Sequence, residues 1–195
     1  IPEGTRKLNI IDVPEHILED NIDPPVKALF IYNHNPLSVH PDQNRMKRAL
    51  SAEDLFVVGC DVVMTDSMAY ADIVLPASSP FEIADIYGAY GQQYLQRAEP
   101  VIPRVGESLP NTEIFRRLAA RLGYSEDIFQ ADDIRLMDDA MDGNDARLKG
   151  MRPSEIPLGT SVYMDKAGED IVPFANVFPA TPSGKVEILS ERLAQ

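Results

Sequence analysis

The sequence predicts an α/β fold: an open, mostly parallel, Rossmann-like sheet with helices on both faces, followed by an irregular C-terminal extension. Three observations predict it. Nearly continuous apolar runs at Val26–Tyr32, Leu55–Gly59 and Ala71–Leu75 have the length of strands buried on both faces of a parallel sheet. Each run stops abruptly, in Asn33-His34-Asn35-Pro36, in Cys60-Asp61 and in Pro76. Helix-like segments separate the runs, so the order is strand, loop, helix, strand, loop, helix, strand.

Residues 1–25 are polar and punctuated by proline, and Asp23-Pro24-Pro25 sets up the first strand. After the Asn33–Pro36 turn, Pro41-Asp42 leads into a helix over Gln43–Leu50, with Met46 and Leu50 four apart on one face. Thr65 or Asp66 is placed to cap a short helix through Tyr70. Between 77 and 110 the glycines Gly88 and Gly91 and the tyrosines Tyr87, Tyr90 and Tyr94 suggest a structured aromatic loop, with a strand over Gln93–Ala98. Asn111 is expected to cap a helix over Thr112–Arg121, with Ile114, Leu118 and Leu122 on its apolar face and Gly123 as its stop. A further helix is expected over Asp132–Met141. Beyond Gly143 the chain turns irregular, and Lys185–Leu189 alternates like a strand without a partner. The opening Ile1-Pro2-Glu3-Gly4 and the stop at Gln195 read as cut ends.

Composition removes several classes of function. In 195 residues there are 18 Lys+Arg against 31 Asp+Glu, a formal net charge of −13. Such a surface repels polyanions, so neither nucleic acid nor an anionic membrane is an expected partner. Any phosphate must be gripped locally, by backbone N–H groups, or by a neighbouring domain. Cys60 is the single cysteine, which excludes an internal disulfide and a cysteine cluster for zinc or iron–sulfur. It is compatible with a reducing, cytoplasmic compartment. The apolar runs are far too short to span a bilayer.

The candidate site residues sit where the strands end, the edge at which open α/β sheets bind ligands. Asn33, Asn35 and Pro36 form the loop after the first strand, and short amides there can meet a phosphate or a heterocycle edge; a plain turn explains the same residues. Asp61, ending the second strand beside Cys60, can accept two parallel hydrogen bonds from guanine N1–H and N2–H₂, or can simply cap a turn. Cys60 reads as a small buried residue, with no adjacent cation to activate it. His34, His40 and Asp42 match no common metal-ligand spacing and read as surface loop residues. There is no glycine-rich dinucleotide or P-loop fingerprint, no Ser–His–Asp arrangement and no defensible acid/base pair, so no catalytic or metal-ligating residue is assigned.

Taken in order, these segments resemble the third domain of the dimethyl sulfoxide reductase family of molybdopterin oxidoreductases. The resemblance is carried by Ala28–Pro36 with its Asn-Pro loop, by Asp61, and by Ala71-Asp72-Ile73-Val74-Leu75-Pro76-Ala77 followed by Glu82. It continues in Gly106-Glu107-Ser108-Leu109-Pro110-Asn111 and in Thr181-Pro182-Ser183-Gly184-Lys185-Val186-Glu187, covering roughly 26–124 and 179–191. It implies that 1–25 leads in from a preceding domain, that 26–150 binds molybdopterin guanine dinucleotide, and that 151–195 is a linker and the start of a final β-barrel domain. It implies a molybdenum or tungsten cofactor and, in many members, a [4Fe–4S] cluster elsewhere in the full-length protein. Candidate cofactor contacts are then Asn33, Asn35, Pro36, Cys60, Asp61, Thr65 and Asn111. Asn111 stands where many members have Asp. Glu82 is followed by Ile83 where some members place Lys.

The resemblance implies a cofactor-binding piece of a two-electron oxidoreductase, without catalytic chemistry of its own. Its partners would be the other domains of the same chain and an iron–sulfur electron-transfer subunit. The rival readings are a structural or electron-transfer scaffold like the complex I iron–sulfur subunit, which resembles this family but has lost molybdenum, and a small metal-dependent hydrolase built on His34, His40 and Asp42.

Overall fold

A computed structural model describes residues 4–141, 148, 150–164, 172–176, 178–181 and 183–189. The chain divides into two compact units, one formed by Ile1–Ile83 with Val101–Gly123, the other by Ala84–Pro100 with Tyr124–Gln195.

The first unit is built on a parallel sheet in the order β1 (Ala28–Tyr32), β2 (Phe56–Asp61), β3 (Ile73–Pro76). Its register pairs Ile31 with Gly59 and Tyr32 with Cys60, then Cys60 with Leu75 and Asp61 with Pro76. Strand side chains alternate between faces. Leu29, Ile31 and Val57 therefore share one face, and Phe30, Val58 and Ile73 the other.

On the first face Ile31 and Val57 pack with Leu37, Met46, Leu50, Leu55 and Met68. Leu37 comes from α2 (Pro36–Val39), Met46 and Leu50 from α3 (Gln43–Leu50), Leu55 from the turn before β2 and Met68 from a 3₁₀ turn at Met68–Tyr70. Burying each large aliphatic side chain contributes about 1.5–3 kcal/mol. Helix α1 (Val13–Glu19) also belongs to this layer. Its Glu15 and Glu19 reach Arg45 of α3 at 3.2 and 2.9 Å. The polar, proline-punctuated sequence hid α1, because Pro14 sits in the first turn, where a missing N–H costs nothing.

The second face is covered by α4 (Asn111–Leu122), where Ile114 packs on Cys60, Ala77, Leu75 and Leu109. Phe115 adds ring contacts at 5.5 Å to Phe30 and 5.0 Å to Tyr32. Helices do lie on both faces, but the second is covered only in part. Phe30 and Tyr32 remain 36 and 46% exposed, so β1 is not buried on both faces as its apolar run suggested. Leu118 and Leu122 are exposed too, and the buried residues of α4 are Ile114 and Ala119. Gly123, at φ 82°, ends the helix in the left-handed conformation as expected.

In the second unit β4 (Asp85–Tyr87), β5 (Tyr94–Ala98) and β6 (Val162–Tyr163) form an antiparallel sheet in that order. The expected aromatic loop thus carries a strand of its own. Leu95, Leu148 and Ile156 make its core. Helix α5 (Asp133–Ala140) is capped by Asp132, which accepts from the Arg135 N–H at 2.8 Å. Lys185–Leu189 forms no strand. The Lys185 N–H donates to Ser183 Oγ and the Thr181 hydroxyl donates to the Lys185 carbonyl, so local side chains take the groups a ladder would use. Among the described residues no helix is long and apolar enough to cross a membrane.

Gly59 marks the tightest approach in the first unit. A Cβ there would lie 2.3 Å from Met68 Sδ and 3.3 Å from Ala71 Cβ. With Met68 fully buried, the sulfur has little room to retreat. Gly59→Ala is expected to lower stability in urea unfolding by about 1–3 kcal/mol, with a smaller loss when Met68→Ala is already present.

Candidate functional site

Parallel pairing brings the ends of β1 and β2 to one edge of the sheet, and α4 begins beside them. Asn33 follows β1 at φ 50°, a left-handed conformation that asparagine tolerates because its short amide bonds locally. Cys60 and Asp61 close β2. The Asn111 amide links the three segments: its Nδ2 donates to Asn33 Oδ1 at 2.8 Å, and its Oδ1 accepts from Cys60 Sγ at 3.5 Å. Asn111 is therefore not the cap of α4. Pro110 holds that position, and Asn111 is the first helical residue, with its side chain turned across the sheet edge.

Asn35 is held differently. Its Oδ1 accepts from Ser67 Oγ at 2.6 Å, and its Nδ2 donates to Ser38 Oγ at 2.9 Å. Ser67 in turn accepts from the Leu37 N–H at 3.1 Å. The amide thus braces its own loop against the segment after β2. Pro36 opens α2, where it is buried and needs no donor. Ser67 is fully buried and was not foreseen, because a lone serine between two strands carries no sequence signal. Removing its hydroxyl would leave a buried N–H and a carbonyl oxygen unpaired, at a cost of about 1–3 kcal/mol each.

Asp61 is half-buried, and its Oδ1 accepts from the Val62 N–H at 2.7 Å. Its second oxygen is a candidate acceptor for a ligand. Thr65 Oγ1 accepts from the Met68 N–H at 3.4 Å, while Ser67 holds the cap position of the 3₁₀ turn, and Thr65 keeps its own O–H as a donor. Between them Val62, Val63 and Met64 are exposed, which gives the edge an apolar rim beside a carboxylate. Burial, and then the neighbouring Asp61, push the Cys60 thiol up from its ordinary pKa, consistent with a packing residue and not a nucleophile.

A buried carboxylate sets the position of α4. Glu82 accepts from the Ser79 N–H at 2.7 Å, from the Val105 N–H at 2.7 Å and from Ser108 Oγ at 2.8 Å. It draws 105–108 against the end of β3, where Ser78 N–H donates to the Leu109 carbonyl and Leu109 N–H to the Pro76 carbonyl. Ala77 and Leu109 form a parallel bridge, the rudiment of a fourth strand, and two residues later comes Asn111. These donors, led by the Ser79 hydroxyl and the Val105 N–H, hold the Glu82 pKa at about 2, well below the ordinary 4.5.

Other features do not converge on this edge. An apolar cleft of about 280 Å³ runs along β1 and meets the loop after it at His34 and Pro36, lined otherwise by apolar and aromatic residues such as Ile10, Val13, Leu29 and Met46. Among the described residues no three His, Cys, Asp or Glu side chains are placed to hold a metal ion. Asp42 caps α3 by accepting from the Arg45 N–H at 3.0 Å. Thr112 Oγ1, next to Asn111, is buried and has no hydrogen-bond partner among the described residues.

Comparison with known proteins is consistent in kind. Residues 6–121 match the family model described as molybdopterin oxidoreductase. The protein described as a probable oxidoreductase, YoaE, of Bacillus subtilis (strain 168) is 40% identical over 192 residues, covering 97% of this chain and 27% of that protein. The trimethylamine-N-oxide reductase of Vibrio vulnificus (strain YJ016) is 31% identical over 186 residues, covering 88% of this chain and 22% of its own. Acetylene hydratase from Pelobacter acetylenicus matches in structure with a TM-score of 0.65 at 26% identity, over 93% of this chain and 24% of that one. The chain spans about a quarter of the length of these relatives.

The Glu82 geometry predicts an acid dependence with a definite sign. A pKa depressed in the fold means the ionised carboxylate stabilises it above the ordinary value of 4.5, and that contribution is lost as pH falls through about 2. Glu82→Gln is expected to lower the urea midpoint at pH 7, and the gap to the wild-type chain should narrow progressively between pH 4.5 and 2. A gap that stays constant over that range would remove the charge-assisted reading.

Proposed function

The chain belongs to the molybdopterin oxidoreductase family, and on that premise we propose that its sheet edge holds the guanine end of a molybdopterin guanine dinucleotide. The observation that carries the proposal is the convergence of Asn33, Asp61 and Asn111 at the ends of β1, β2 and the start of α4. The donor set suits the group. Guanine offers adjacent N1–H and N2–H₂ donors, and Asp61 keeps one carboxylate oxygen beyond the one taken by Val62. The Asn111 Nδ2 carries a second hydrogen after its bond to Asn33, and Thr65 retains its hydroxyl proton. Exposed Val62, Val63 and Met64 can shield one face of a base from water. The Thr112 hydroxyl beside Asn111, without a partner among the described residues, marks a place where a small rearrangement would supply one more donor.

The residues divide into two roles. Asp61, Asn33 and Asn111 contact the nucleotide. Asn35 and Pro36 shape the loop through Ser67, and Cys60 supports the Asn111 amide from below. With a charge of −13 on the chain, the diphosphate has to be neutralised mostly by cations from other domains of the same protein. When bound, the molybdenum or tungsten of the cofactor supplies two-electron redox chemistry. Its ligand, a [4Fe–4S] cluster and the contacts to an iron–sulfur electron-transfer subunit belong to regions outside this chain. The family match, with reductases among the relatives, favours this reading over a scaffold that has lost the cofactor.

Titrating the ¹⁵N-labelled chain with GDP should shift the amides of residues 33–35 and 60–66. ADP should bind about tenfold more weakly, within the roughly 1–3 kcal/mol of one bidentate base contact. Asp61→Asn should abolish the preference for GDP while leaving the sheet amides in place. Unperturbed amides at 33–35 and 60–66 would overturn the binding role and leave the scaffold reading standing.

A further inference from the structure

We propose that His34 and His40 form a two-imidazole site for a divalent transition-metal ion of the copper, nickel and zinc class, strapped across α2. The two side chains are six residues apart and flank the single turn Pro36–Val39, His34 before it and His40 as its C-cap. That turn folds them together, with His34 Nε2 and His40 Nε2 2.7 Å apart and the rings 4.8 Å apart at 66°. Two neutral imidazoles meet this way by sharing one proton, one ring donating and the other accepting. A metal ion replaces that proton without moving the backbone. With metal–nitrogen distances of about 2.0–2.1 Å and a tetrahedral angle, the two nitrogens need to separate to roughly 3.3 Å, an opening of about 0.6 Å that side-chain rotation supplies.

The surroundings suit a bound metal ion. Both rings are half-buried, and their 2.7 Å contact already brings the two Nε2 atoms to one point. The net charge of −13 raises the local concentration of cations. No third His, Cys, Asp or Glu is placed to join the pair among the described residues, so water completes the coordination and the ion exchanges. Imidazole selects copper, nickel and zinc over magnesium and calcium, which prefer oxygen. The pair shares no atom with the guanine edge, and the Asn35 amide between them is engaged with Ser67 and Ser38.

The test uses the full 195-residue chain titrated with CuCl₂, ZnCl₂ and MgCl₂ in a non-coordinating buffer. Copper should saturate at one equivalent, with an electron paramagnetic resonance signal showing hyperfine coupling to two imidazole nitrogens. Zinc should shift the ring ¹⁵N resonances of His34 and His40 but not those of His16, whose Nδ1 already pairs with Asn21 Oδ1 at 2.7 Å. Magnesium should shift none of them. His34→Gln or His40→Gln should weaken copper binding about tenfold or more and leave one nitrogen in the spectrum, whereas His16→Gln should change nothing. A wild-type signal with a single nitrogen, zinc shifts confined to His16, or unchanged copper affinity in a folded His34→Gln chain would each overturn the proposal. The wild-type spectra decide the matter even if a histidine variant fails to fold. GDP binding is not part of the readout, so this site can fail while the nucleotide reading stands, and the reverse.

Discussion

Everything at the candidate site depends on the parallel register of β1, β2 and β3. Because Tyr32 pairs with Cys60 and Asp61 with Pro76, the loops that follow the three strands leave from one edge. An antiparallel neighbour would have sent every second loop to the opposite edge and separated Asn33 from Asp61. The register is enforced from below, since a slip by one residue would turn Ile31 and Val57 out of the core they share with Met46, Leu50 and Met68. Ordinary hydrophobic burial thus fixes where the polar groups emerge. Gly59 belongs to the same constraint, because the core under β2 is filled by the end of the Met68 side chain.

Side-chain hydrogen bonds then turn an edge into a site. The Glu82 carboxylate gathers Ser79, Val105 and Ser108 and so presses 105–109 against the end of β3. That placement carries Asn111 to within 2.8 Å of Asn33, across 78 residues of sequence. Buried, hydrogen-bonded groups of this kind are costly to disturb, which makes them good rulers for a binding surface. Ser67 does the same for the Asn35 loop. The groups left facing outward, Asp61 above all, are the ones a ligand can use.

Much of this was legible in the sequence, for identifiable reasons. β1 and β2, α3 and α5 announce themselves through apolar runs and caps, because their signals are local. Helix α1 was hidden by proline in its first turn, and β4 by its brevity. The second face of the sheet was misjudged because an apolar strand reads the same whether one or both faces are covered, and Phe30, Phe56 and Ile73 are exposed. Among the site residues, strand ends gave Asn33, Cys60 and Asp61. That the Asn35 amide would turn inward, that Asn111 would leave its capping position, and that Ser67 and Glu82 would set the geometry are tertiary facts without a local pattern. The His34–His40 contact is of the same kind, since here it is the single helical turn between them that brings the two rings together.

The most direct test of the central claim is a structure of the full-length protein purified with its own cofactor. The account predicts a guanine base at the ends of β1 and β2, with its N1 and N2 within about 2.7–3.2 Å of the Asp61 carboxylate oxygens. A guanine held elsewhere, with Asp61 facing solvent or capping only Val62, would contradict it.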